Sequence, residues 1–162
     1  MSELVELLER FRRGPELLAQ SLTGAAGTEV DFHEPGKWSV RQIIAHLADC
    51  EIVLSFRVRS ILAEENPTLQ AFDQDLWATK LDYAKRKPSH SLESFRRTRS
   101  ENYELLKDLP PEAFQRSGTH TERGTITVLG FIEYYVAHEE RHAAQIRRTR
   151  ESFKAAKAAG VS

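Results

Sequence analysis

The sequence predicts an all-α protein: a four-helix bundle with one long, partly helical crossover between its second and third helices. Apolar residues recur at helical spacing nearly throughout, and no stretch sustains the alternation of a strand. Capping and breaking residues punctuate four long segments. The connections between them are short, except over residues 66–90, a length that suits a crossover covering one end of a bundle.

The first helix carries Leu4, Leu7, Leu8, Phe11, Leu18 and Leu22 on one stripe. Gly14-Pro15 interrupts it but leaves the stripe in phase, which predicts a kink rather than a boundary. Residues 24–37 form a connection. The second helix opens on Ser39, with Gln42 in place for a capping box and Trp38 placed to staple onto Ile43. Its stripe runs through Val40, Ile43, Leu47, Leu54, Val58 and Ile61, and Glu64 to Pro67 end it. The crossover holds Trp77 and Tyr83 among many charges. The third helix opens near Ser91, carries Leu92, Phe95, Tyr103 and Leu106, and stops at Pro110-Pro111. After a turn-rich stretch from Ser117 to Gly124, the fourth helix starts at Thr125 or Thr127 and runs to about Ser152. The bundle is expected over residues 1–152, with 153–162 as a frayed tail.

Composition narrows the function classes. The chain's 162 residues suit one domain with a single core. At 40% hydrophobic and 29% charged residues the composition is that of a folded chain rather than a disordered one. A formal net charge of −1 leaves no electrostatic footprint for nucleic acid. The lone cysteine, Cys50, rules out an internal disulfide and suits a reducing cytoplasm. The N-terminal run is acidic and amphipathic, unlike a signal peptide, and no stretch approaches the ~18 apolar residues of a membrane span. A soluble cytoplasmic protein is expected, with a small-molecule partner rather than nucleic acid or membrane.

The strongest chemical signal is His138-Glu139-Glu140-Arg141-His142 in the fourth helix. Histidines at i and i+4 share a face with Cβ atoms about 5–6 Å apart, so both imidazoles can converge on one ion at roughly 2.0–2.1 Å. With Tyr135 at the centre of the apolar stripe, His142 falls within about 20° of it, His138 about 60° to one side and Glu139 about 40° to the other. The HExxH pattern invites a zinc-protease reading with Glu139 as general base. Its continuation fails, because Gln145 and Arg148 stand where glycine and histidine are required. A di-iron bundle would need a second Glu-x-x-His, and none exists.

A third ligand must come from upstream, and His46, at the border of the second helix's stripe, is the best candidate. His33, His90 and His120 lie in connections or turns, and Asp49 or Cys50, about one turn past His46, could also ligate. Three imidazoles with an open fourth position are the pattern of a catalytic site, where the ion activates water or a thiol. Glu139 and Asp49 are the candidate bases. Arg57 and Arg99 are candidate receptors for an anionic substrate group.

The run Trp38-Ser-Val-Arg-Gln-Ile-Ile-Ala-His46-Leu-Ala-Asp49 resembles the second-helix signature of the DinB-like family, named after a DNA-damage-inducible protein. The segment from Thr127 through His138-x3-His142 to Ile146 is similar to that family's last-helix signature. The resemblance implies a four-helix bundle, often dimeric, holding one divalent ion, zinc or nickel, on His46, His138 and His142. It also implies two kinds of function. One is a metal-dependent S-transferase using a low-molecular-weight thiol, or a hydrolase, acting on a small molecule. The other is a non-catalytic metal- or ligand-binding dimeric bundle with a stress-response role.

Overall fold

The computed structural model describes residues 2–160. Helix α1, Glu3–Arg12, starts on Ser2, whose hydroxyl accepts from the amide of Val5. Helix α2, Gly14–Leu22, follows at once, so the stripe expected on one kinked helix is carried by two. They break at Arg13, and Pro15 sits in the first turn of α2, where its missing N–H costs no bond.

Helix α3, Val40–Ala63, begins with the expected capping box: the Ser39 hydroxyl accepts from the Gln42 amide, and the Gln42 side chain accepts from the Ser39 amide. The crossover carries a short strand β1, Thr68–Leu69, a helix α4, Gln74–Lys80, and a single 3-10 turn at Tyr83–Lys85. Helix α5, Pro88–Leu106, opens just before Ser91, because Pro88 and Ser91 both fit its first turn. Helix α6, Val128–Ala158, takes Thr127 as its cap, the hydroxyl accepting from the Gly130 amide. It continues past Ser152, where the sequence pattern ends it, because Phe153 packs on Phe32 and the Ser152 hydroxyl donates to Glu34.

Together α1 with α2, α3, α5 and α6 make a four-helix bundle, in which α3 packs on α5 and α6, and α2 on α6. One apolar cluster joins Phe11, Leu54, Val58, Leu106 and Ile132; a second joins Leu18, Ile43, Leu47, Phe95 and Ile146. Arg99 bridges them, its guanidinium lying over Phe11 at 3.9 Å and over Phe95 at 4.7 Å.

The stretch read as turn-rich is a hairpin. Strand β2, Ser117–His120, pairs antiparallel with β3, Gly124–Thr127, and parallel with β1, so Leu69 stands beside His120. Strands this short leave no alternation to read. Gly118 permits the pairing: a Cβ there would lie 2.8 Å from Leu69 and 2.9 Å from the Pro67 carbonyl. The small sheet ties the start of the crossover to the loop that feeds α6.

Candidate metal centre

Three imidazoles meet where α3 faces α6. His138 Nε2 lies 3.3 Å from His46 Nε2 and 3.1 Å from His142 Nε2. The rings of His46 and His142 have centroids 5.0 Å apart. His46 is buried against Trp38, and Tyr134 stacks on His138. Gln145, one turn beyond His142, takes the Nδ1 proton of His142 on its Oε1 at 2.7 Å. That bond leaves His142 Nε2 bare and aimed at the cluster.

The cluster suits a cation. A proton on His138 Nε2 can serve only one of its two close contacts, whereas an ion among the nitrogens serves both. Imidazole nitrogens about 2.0–2.1 Å from a tetrahedral ion stand about 3.3–3.4 Å from each other, close to the separations found. Burial, with repulsion from His142, pushes His46 down to about 3. Burial, with repulsion from His142 and His46, pushes His138 down to about 2. His142 is lowered too, chiefly by burial, although its bond to Gln145 works the other way. All three rings are therefore neutral at pH 7, with lone pairs available.

Cys50 offers a further donor beside His46 and His138. The donor atoms of His46, Cys50 and His138 all lie within 4.8 Å of one another. Sγ stands 3.6 Å from His46 Nδ1 and 3.5 Å from its Nε2. Near-equal distances place it over the ring face rather than along either lone pair. Burial pushes the thiol up to about 12.

His46 and His138 open onto a cleft of about 340 Å³. Helix α3 contributes Arg57 to its wall, the crossover Phe72 and Gln74, and the hairpin His120 and Arg123. Of the residues singled out from sequence, the fold thus brings His46, His138, His142, Cys50 and Arg57 together.

The other three are directed elsewhere. Asp49 accepts from the Tyr83 hydroxyl at 2.7 Å and from Arg86 at 2.6 Å, fastening the crossover to α3. Glu139 does not line the cleft. Its Oε1 accepts from Arg99 Nη1 at 3.0 Å, and Oε2 lies 2.8 Å from the same nitrogen but off the N–H direction, so it gains an ionic contact and no hydrogen bond. Burial raises Glu139 to about 7, against the opposing pull of Arg99. Arg99 is fully enclosed: it grips Glu51 at 2.7 and 2.9 Å and donates to the Phe11 carbonyl at 2.7 Å. Its donors are committed inside the bundle, because the neighbouring helices supply the counter-charges. Gly14 makes room for this group, since a Cβ there would collide with both Arg99 and Glu139.

His120, Arg123 and Gln145 are what sequence reasoning missed. Only the hairpin register brings the first two to the cleft. Gln145, one turn after His142, was legible as a possible partner of that ring.

The profile of the DinB superfamily matches residues 10–146. A candidate metal-dependent hydrolase of Oceanobacillus iheyensis is 32% identical over 134 residues, covering 82% of this chain and 77% of the relative. YfiT of Bacillus subtilis, also named as a candidate metal-dependent hydrolase, is 29% identical over 144 residues, covering 88% of this chain and 79% of its own. The solved structure of YfiT, described as an unusual four-helix bundle topology, superposes with a TM-score of 0.86 at 25% identity, covering 100% of this chain and 91% of that one. The chain belongs to the DinB superfamily.

Proposed function

We propose that the chain is a metal-dependent hydrolase of a small molecule, with one divalent ion, zinc or nickel, on His46, His138 and His142. The observation that carries this reading is the close approach of His138 Nε2 to the Nε2 atoms of both His46 and His142, with His142 oriented by Gln145. The names of the relatives support it. A divalent ion in such a site supplies Lewis acidity toward water or a thiol at neutral pH. The chain's own residues keep the three imidazoles neutral, orient His142, and present the site to a cleft wide enough for a small substrate. Neither Glu139 nor Asp49 lines that cleft, whose one carboxylate is the exposed Glu122, so neither of the two candidate bases is placed to act there. The homodimer implied by the family resemblance belongs to the same proposal, and sedimentation equilibrium tests it.

Metal analysis of the purified protein, then turnover assays on esters and amides with and without a low-molecular-weight thiol, tests the reading. Thiol-dependent turnover of an electrophile would move the assignment to S-transfer. Cys50 favours a second reading, a closed, non-catalytic binding site. Cobalt-loaded protein separates the two. An open site predicts no thiolate-to-cobalt charge-transfer band and an unchanged spectrum in Cys50→Ser. A band lost in that variant would mean four protein ligands.

A further inference from the structure

Arg57 is a charge that the metal site does not use. It is 6% exposed, and its guanidinium lies between the rings of Phe72 and Phe131, 5.8 and 5.7 Å from their centroids. One bond, from Nη2 to the Gln70 carbonyl at 2.5 Å, holds it. The buried Arg99 and the largely covered Arg150 each meet a carboxylate. Arg57 meets none among the described residues. A guanidinium withdrawn from water without a counter-charge is costly. This one forms part of the wall of the cleft that reaches His46 and His138.

Its neighbours in the cleft are donors as well. The Nδ1 of His120 accepts the amides of Glu122 and Arg123, both at 3.2 Å. The neutral ring therefore carries its proton on Nε2. Burial, with Arg57 and Arg123 nearby, lowers the pKa of His120 and keeps the ring neutral. Arg123 lies over Tyr134 at 4.5 Å and donates to its hydroxyl at 3.2 Å. Glu122 is the one carboxylate of the lining; it is exposed and pairs with neither arginine among the described residues.

We infer that this end of the cleft is a receptor for an oxyanion, the carboxylate or phosphate of the substrate, with Arg57 as its principal cation and His120 as a second donor. A guanidinium pairs with either group through two parallel bonds. The substrate's remaining part then reaches toward the histidines. That last link rests on the hydrolase reading; the anion site itself does not.

Calorimetric titration with inorganic phosphate and with acetate, on metal-loaded and metal-free protein, tests the receptor. Arg57→Gln is expected to weaken binding of the preferred anion by about tenfold or more in both forms. Arg57→Lys should recover part of the loss, and the exposed Arg97→Gln should change nothing. Which anion binds more tightly identifies the group. Binding that vanishes with the metal and is untouched by Arg57→Gln would assign the anion to the ion and overturn the receptor, leaving the hydrolase reading standing. Anion binding that persists without metal, in a protein that hydrolyses nothing, would keep the receptor and remove the hydrolase. Should Arg57→Gln fail to fold, His120→Ala and the Arg57 Nε–H resonance of the parent carry the test. That resonance unmoved by both anions overturns the proposal.

Discussion

Gln145 illustrates how much a single side chain contributes here. Its bond to His142 decides which nitrogen of that ring is bare. Partners of this kind are worth about 10–100-fold in metal affinity. Gln145→Ala is therefore expected to lower affinity within that range, while His138→Ala and His142→Ala abolish stoichiometric binding; competition against a chelator reads both. Equal affinity in Gln145→Ala would remove its orienting role. The histidines also set a pH dependence. Their folded pKa values lie below the ordinary 6.5, so as pH falls past 6.5 the unfolded chain takes up protons that the native metal-free chain does not. Their stabilising contribution is present above 6.5 and lost below it, at up to ~1.4 kcal/mol per pH unit for each histidine. Urea midpoints of metal-free protein at pH 7.5 and 5.5 check this, and midpoints that do not fall on acidification would contradict it.

Between elements, the decisive object is the buried group of Arg99, Glu51, Glu139 and Asn102. It joins α3, α5 and α6, and through the Phe11 carbonyl it reaches α1. Removing one partner of a buried ion pair leaves an uncompensated charge and costs ~3–5 kcal/mol. Arg99→Met is expected to lose about that much in a urea melt. Gly14→Ala, which forces a methyl group against the same ions, should lose ~1–3 kcal/mol. If alanine were neutral there, α2 would not approach α5 and α6 as closely as drawn. Glu139→Gln belongs to the same set: as part of this group it should shift stability, and a large loss of turnover at unchanged stability would instead make it a base.

At the scale of the whole molecule, the crossover and the hairpin convert a helical bundle into one with a cleft. Asp49 is the fastening point. Asp49→Ala leaves the fully buried Tyr83 hydroxyl without its acceptor, at a cost of ~1–3 kcal/mol. The variant should keep its metal stoichiometry but be cut faster by protease between residues 66 and 87. Cleavage at the parent's rate would show that other contacts hold the crossover. Were Asp49 a base instead, Asp49→Asn would lower turnover without this loosening.

The long helices α3, α5 and α6, the capping box at Ser39 and the placement of His138 and His142 on one face follow from the sequence by itself, because periodicity, capping and i, i+4 spacing are local properties of one helix. His46 could be nominated in the same way, from its place at the edge of a stripe. Tertiary structure decided the rest. Glu139, one residue from His138, was legible as a base, yet a step of about 100° along the helix turns it toward Arg99 rather than toward the cleft. Arg57 lies about three turns past His46 on nearly the same face and Arg99 interrupts the third helix's apolar stripe, but neither position along its helix says which counter-charges it meets. Only the packing of α3, α5 and α6 supplies Glu51 and Glu139 to Arg99, and among the described residues none of that packing brings a carboxylate to Arg57. His120 reaches the cleft through a hairpin whose strands are too short to leave a pattern, so its role depends on pairing across the chain rather than along it.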